Sequence, residues 1–512
     1  MANTAFKTYA QEHGGRVLLL FLLFLLALFL FYTSGFSAFA LVCASPLLIL
    51  FTIAAFRSSM IVFWMLICIN YLVMMRDIHL PIPISLPNEM MEILLIALAI
   101  LNVKESKFER AANVMLLSLI AWCIFCIIEV LNDTCNIGIN VGAWYTGARS
   151  MAFQLLYAFL VFSLYISNPN ILTKYLYLWG GLALFASFWV WKQQYIGFTH
   201  SEDIWLHTQG ASTHILHAGT LIRYFSIFSD AANFGIGIAS TAVAFIIFGI
   251  TAKIRKHIFF FLVVGAACVW AMFQSGTRTA IACLMAGFMT YIFLSKSLKI
   301  AIPFTTAFAL FAFLLVFTNI GNGNQQIRRM RSAFNKDDSS ANQRSINQET
   351  MKKYMKEAPW GIGIAQGYGS VPANNKYNLM SNIAADSEYV YIWLRTGVIG
   401  ITIFLICTAL MLLGACRIVF FTLKSPSLRG IGAGFCCAFV SQQLGGYGNQ
   451  VLMQFPNCLV FFGGLTIVYI LPHIEKEWIE YENKQLAIQE ERKRIKLKKK
   501  KQSRVTTWLK WI

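Results

Sequence analysis

Apolar runs long enough to cross a bilayer follow one another from Val17 to Leu471, separated by polar stretches. Backbone inside hydrocarbon has no water to bond, so each run must satisfy its own N–H and C=O groups as a helix of about twenty residues. Taken one by one, the runs lie near 17–33, 36–56, 59–75, 88–103, 111–131, 149–167, 172–191, 231–252, 257–274, 279–295, 299–318, 388–415, 429–445 and 456–471. They predict an all-α, polytopic integral membrane bundle of about 12–14 transmembrane helices, with short helices in one long loop. The first run is followed by no small-residue cleavage site and Phe36 opens another run at once, so it reads as a retained span and not a signal peptide. The polar interruptions divide the chain into amino-terminal helices (1–191), a central helical region with a first polar segment (192–318), a long loop (319–387), carboxyl-terminal helices (388–471) and a tail (472–512).

Composition agrees: mean hydropathy is +0.61 and 13% of residues are charged, against about one quarter in soluble proteins. The twelve cysteines are scattered, mostly inside apolar runs, and read as packing residues. The net charge is +19, and in the tail eight of the ten residues from Arg492 to Lys501 are basic. Following a membrane span, such a run points to anionic membrane lipids and not to nucleic acid. The tail itself reads as a solvated charged helix ending in "VTTWLKWI".

With the tail inside and an even number of spans, the amino terminus is inside too. The inward loops then carry Arg57, Lys104, Lys107, Arg110, Lys174, Lys253, Arg255, Lys256, Lys296, Lys299, Arg417, Lys424 and Arg429, as the positive-inside rule requires. Two long outward segments, 192–230 and 319–387, hold most other polar residues and are where function is expected.

Almost no charge falls near the middle of a span, which weighs against an ion-coupled transporter. The exceptions, Glu129, Arg223, Arg278, Asp386, Glu388 and Arg395, sit at outward span ends. Guanidinium is permanently charged and forks bidentately onto phosphate, so Arg223 and Arg278 with nearby helix amino termini suit a diphosphate; the plain alternative is arginines snorkelling to the interface. Asp386 and Glu388 read either as proton acceptors or as acids stabilised by a helix amino terminus. His200, His207, His214 and His217 fall in the first outward segment, without the carboxylate or cysteine spacing of a metal site. No phosphate-binding or dinucleotide fingerprint is present, and no cofactor is expected.

Three blocks, "RYFSIFSDAANFGIG" from Arg223, "SGTRTA" from Ser275, and "RSINQETMKKYMKEAPWGIGIAQGYG" followed by "DSEYVYIWLRTGVIG", resemble in order and topology the bacterial O-antigen ligase and polymerase superfamily. That resemblance implies glycosyl transfer without a metal, from an undecaprenyl-diphosphate-linked oligosaccharide at the outer face of the plasma membrane. Carried across by motif, Arg223, Arg278 and Arg344 hold the diphosphate, Asn233 supports the first block, and Gly361 and Gly363 shape a close backbone approach. Asp386 or Glu388 takes the acceptor's proton, while Tyr389 and Arg395 line the substrate site. A chain-length regulator and a flippase are the partners it implies. Ligases place a histidine where this chain has Asp386-Ser387, and no histidine occurs between His257 and His473; the expectation is therefore a polymerase of O-antigen, capsule or exopolysaccharide, with a ligase as the alternative enzyme. A lipid-linked oligosaccharide flippase and a membrane scaffold are the readings from other classes.

Overall fold

The computed structural model describes residues 53–77, 85–103, 107–216, 221–296, 339–383 and 385–509, with scattered positions within 14–32 and 302–329; side chains at 339–344 and beyond 495 are not described. The expected spans at 17–33, 36–56 and 299–318 lie largely outside these residues. The chain forms two units, residues 1–65 and 66–512. Of the first, chiefly 53–65 is described, and it is mostly helical. The second unit holds every candidate site residue named from the sequence.

The protein is a polytopic helical membrane bundle. Among the described residues seven helices are long and apolar enough to cross a membrane: α3 (Val114–Leu131), α4 (Val141–Tyr165), α5 (Pro169–Tyr195), α6 (Ala231–Thr251), α7 (Arg255–Gln274), α10 (Glu388–Thr422) and α12, which starts at Asn457. Shorter apolar helices are α1 (Ser59–Leu72), α2 (Leu86–Leu101) and α8 (Arg278–Leu294). The polar α9 (Ser339–Met355) lies in the long loop, and the glycine-rich α11 (Pro426–Gly448) precedes α12.

Lipid tails are as apolar as leucine, so helices in a membrane are held by close packing and interhelical hydrogen bonds, which small residues permit. Helix α6 is the hub and is almost wholly buried. A Cβ at Gly237 would overlap Asn457 at the start of α12, and one at Gly434 of α11 would overlap Phe248. In that gap Asn457 donates to the Asn233 carbonyl at 3.0 Å. Trp179 of α5, fully buried, stacks on Phe435 with centroids 5.8 Å apart and donates to the Tyr71 hydroxyl. Cys123 and Cys126, spaced C-x-x-C on α3, are buried free thiols.

Since α6 and α12 both begin at the Asn233–Asn457 contact, the bundle has two distinguishable ends. At the end where α6 finishes, α12 runs on past Pro472 and docks. Glu475 accepts from the backbone N–H groups of Lys424 and Ser425 at 2.7 Å, Trp478 donates to Ser427 Oγ at 3.0 Å, and Lys253 meets Glu482 at 2.7 Å. This corrects the expectation of a merely solvated helix: the residues from 474 to 482 carry a buried face of Ile474, Trp478 and Glu482, one helical turn apart.

At the other end, α10 is broken at Gly397, whose φ of +66° only glycine adopts without strain. The "PWGIG" stretch seats in that break, with Ile362 N–H donating to Leu394 O at 2.9 Å and Gly363 N–H to Arg395 O at 3.0 Å. The loop around it folds over an apolar cluster of Cys135, Met351, Ile362, Tyr377 and Met380. The first outward segment contains a two-stranded hairpin, Ile215–Leu216 with Leu221–Ile222, which the hydropathy pattern did not predict. Helix α2 buries two carboxylates near its start, Glu89 and Glu92. Glu92 accepts from the Gln154 amide at 2.7 Å, and Glu89 pairs with the Arg149 guanidinium at 3.1 Å.

Candidate functional site: an arginine cluster at the mouth of the bundle

The hairpin delivers Arg223. Its backbone N–H extends the ladder to His214 O at 2.9 Å, and its guanidinium directs three donors at neutral acceptors: Thr213 O at 2.9 Å, Ser275 O at 3.3 Å and Thr277 Oγ1 at 3.0 Å. Ser275 and Thr277 belong to the turn between α7 and α8. The turn needs Gly276 at φ +56°, and it is tied to α6 by Thr277 Oγ1 donating to Ala231 O at 2.7 Å. Gly235 is what lets α6 come this close, because a Cβ there would overlap Ser275.

Arg278 opens α8 from the same turn. The two guanidiniums repel: desolvation first, then the positive charge of Arg278, bring the Arg223 pKa down to about 10, with Asp230 opposing. Arg223 therefore stays charged at neutral pH. A third guanidinium, Arg329, donates from Nε to Gly276 O at 2.8 Å. Three arginines thus gather at one three-residue turn, Ser275–Thr277, and the third was not anticipated from sequence.

Behind this cluster the amino terminus of α6 is fully capped. Asp230 accepts from Ala232 N–H at 2.7 Å and Asn233 N–H at 2.9 Å, while His214 Nε2 accepts from Ala231 N–H at 3.0 Å. An imidazole nitrogen that accepts must be unprotonated; burial, then the positive charge of Arg223, push the His214 pKa down to about 4. His214 is a helix cap, and His217 lies outside the described residues. Arg76 lies over the Trp205 ring at 4.1 Å and donates to Ser229 O.

The other expected site residues divide by surroundings. Asn233 is buried, donating to Phe455 O at 2.8 Å and Ser229 Oγ at 2.9 Å. Asp386 is exposed just ahead of α10, whereas Glu388 is buried and accepts from Leu452 N–H at 2.9 Å. Tyr389 donates to Gln443 at 2.9 Å. Arg395 is 8% exposed, faces the Tyr391 ring at 5.1 Å, and has a buried Nε with no hydrogen-bond partner among the described residues. Gly361 and Gly363 do make a close backbone approach, but to the break in α10: a Cβ at Gly361 would meet Arg395 C at 2.5 Å. Arg344 lies on α9, and its side chain is outside the described residues.

One further segment closes the mouth. Asn449 donates to Thr279 Oγ1 at 3.4 Å, next to Arg278, and Gln450 donates to Ala385 O, next to Asp386. The guanidinium turn and the exposed carboxylate are thereby strung on one connection.

With this geometry in place, residues 263–405 match the sequence model of a family described as O-antigen ligase. The match, over about a quarter of the chain, supports a likeness to the O-antigen ligase and polymerase superfamily. It supports a glycosyl-transfer role in the assembly of O-antigen or a related polysaccharide. The ligase-family stretch includes the 275–278 turn, Arg329, the "PWGIG" loop and Asp386; it excludes Arg223 and residues 449–457. No curated protein matches the chain.

Proposed function

We propose that the protein polymerises a lipid-linked polysaccharide, moving a glycan from one undecaprenyl diphosphate onto the sugar end of another lipid-linked repeat unit. The observation that carries this reading is the convergence of Arg223, Arg278 and Arg329 on one turn. A departing diphosphate needs positive groups already in place, and each such contact is worth about 2.7–4 kcal/mol of barrier in the best-measured cases. In this mechanism the acceptor hydroxyl oxygen bonds to the anomeric carbon as the bond from that carbon to the diphosphate breaks. The hydroxyl proton passes to Asp386, and the bonding pair leaves on the diphosphate, neutralised by guanidinium in place of a metal. Arg344 adds a fourth cation from the long loop, Asn233 holds the first block, and Arg395 and Tyr389 support the glycan side. Glu388 serves here by fixing the 449–456 connection.

The orientation follows from charge. Lys253, Arg255, Lys256 and Lys424 sit at the Trp478 end, which the positive-inside rule assigns to the cytoplasm, leaving the arginine mouth on the outer face of the plasma membrane. A ligase would use the same donor site with a different acceptor, and the product separates the two, since polymerisation gives a ladder of lengths and ligation a single transfer.

The test supplies purified protein with lipid-linked repeat units extracted from the producing strain and follows chain length. Arg223→Ala, Arg278→Ala and Arg329→Ala are expected to lower the rate by roughly 100-fold or more, and Asp386→Asn by a factor on the order of 10²–10⁴. Unchanged ladders from all four variants would end the assignment.

A further inference from the structure

The connection between α11 and α12 carries three carboxamides, Asn449, Gln450 and Gln454, that neither the family match nor the transfer mechanism uses. We infer that this segment is the acceptor-sugar subsite, an inference that rests on the polymerase reading.

Its position is the first argument. Asn449 reaches Thr279, one residue beyond Arg278, and Gln450 reaches the carbonyl of Ala385, one residue before Asp386. Gln454 accepts from Ser229 Oγ at 2.5 Å, beside the cap of α6, and donates to Gln450 O at 2.7 Å. In a displacement at an anomeric carbon the attacking hydroxyl lies between the leaving diphosphate and the base. The acceptor sugar must then occupy the space this segment spans.

Its chemistry is the second. A carboxamide offers a donor and an acceptor side by side, matching neighbouring sugar hydroxyls, and being neutral it does not compete with diphosphate for arginine. The valences remain open: among the described residues Asn449 Oδ1 and Gln450 Oε1 accept no hydrogen bond, and all three side chains are half-buried at the mouth.

Its rigidity is the third. The backbone is held from four separate elements: Glu388 takes Leu452 N–H at 2.9 Å, Gln442 donates to Val451 O at 3.0 Å, Asn233 to Phe455 O at 2.8 Å and Asn70 to Pro456 O at 3.1 Å. A loop fixed this way keeps its open amides in place before the sugar arrives, which lowers the entropic cost of binding.

The experiment uses the full-length protein, the lipid-linked repeat unit from the producing strain as donor at a fixed saturating concentration, and the oligosaccharide released from that lipid by mild acid as acceptor. Asn449→Ala and Gln450→Ala are expected each to raise the acceptor KM by about 5-fold, the worth of one neutral hydrogen bond, with the rate at saturating acceptor and the donor KM unchanged. Asn449→Leu, which is close in shape and has no hydrogen-bonding group, is expected to show the same shift and serves where an alanine variant does not fold. An unchanged acceptor KM in folded variants, or a donor KM that rises in parallel, overturns the subsite while leaving the polymerase reading intact. Wild-type protein that transfers nothing from the lipid donor removes both.

Discussion

The two ends of this bundle use the same kinds of side chain to opposite effect. At the Trp478 end a cation meets a carboxylate, Lys253 with Glu482, and Glu475 takes up the amino terminus of α11. Charge is cancelled inside the protein, and the result is cohesion. At the Arg223 end Glu202 is bonded by Trp189, Gln193, Thr199 and Lys192, Glu388 by Leu452, and Asp230 caps α6. Arg223 itself bonds only carbonyl and hydroxyl oxygens, with Asp230 the carboxylate whose charge acts on it. In the proposed function an arginine held this way binds an anion from outside, and the contrast between the ends is then that between a fastening and a candidate site.

The heaviest blow to that contrast falls on the fastening. Trp478 is 3% exposed and tied to Ser427, so Trp478→Ala is expected to cost about 3–5 kcal/mol of stability through the cavity it leaves. Transfer per folded molecule should stay within about twofold of wild type, since nothing at the mouth depends on Trp478 beyond the fold itself. Thermal unfolding in detergent, paired with specific activity of the folded fraction, reads both. A parallel collapse of specific activity would show that the ends are not separable.

Arg223→Lys probes the other end with the opposite signature. Lysine keeps the charge but cannot make three bonds in the plane of a guanidinium fork, so the rate is expected to fall by roughly 100-fold. Stability should drop by only about 1–2 kcal/mol. If lysine restores full transfer, position and fork geometry do not matter, and the contrast between a held arginine and a mere positive charge is lost.

How much of this is legible in the sequence depends on whether the cause is local. Hydropathy marks the spans because hydrocarbon imposes its demand on every residue of a run. Arg223 and Arg278 are legible because each sits in a short motif at the end of a span. Arg329 is not: it stands in "IRRMR" beside equally basic neighbours, and nothing local marks it as reaching Gly276. Glu388 and Asp386 look alike in sequence, yet one is buried against the backbone at Leu452 and the other is exposed, a distinction made by a segment far along the chain. The glycines of "PWGIG" announce a close approach, but not that its partner is the broken helix at Gly397. Asn449–Gln454 reads as an ordinary turn between two apolar runs, and its meaning comes entirely from what it touches. On α12, the spacing of Ile474, Trp478 and Glu482 does carry a buried face, hidden among charges that look solvated.

A pH series tests the cap behind the arginines, where the mouth is held by a group that must stay neutral. His214 accepts a helix N–H only when neutral, and its folded pKa of about 4 lies below the ordinary value near 6.5. The unfolded chain therefore binds more protons between those values. Stability contributed by this cap is complete above about pH 6.5 and is lost as pH falls toward 4, amounting to at most about 3 kcal/mol. Unfolding followed across that window should show the loss in wild type and a flatter profile in His214→Asn, whose side chain does not titrate. Identical profiles would mean that the histidine is not what holds α6 at the mouth.

A finer separation of the two ends comes from salt. Lys253 is 44% exposed while Glu482 is 4% exposed, so water and ions reach the lysine side of the pair. Lys253→Ala is expected to cost about 1 kcal/mol or less, and raising the salt concentration should erase most of the difference from wild type. At the mouth the same salt is expected to act on binding, since a lipid diphosphate would bring its charge to the guanidiniums from solution. The apparent KM for the lipid diphosphate should climb with ionic strength in wild type and in Lys253→Ala alike. A donor KM indifferent to salt would mean that the guanidiniums are already neutralised within the protein, and the two ends would then be of one kind.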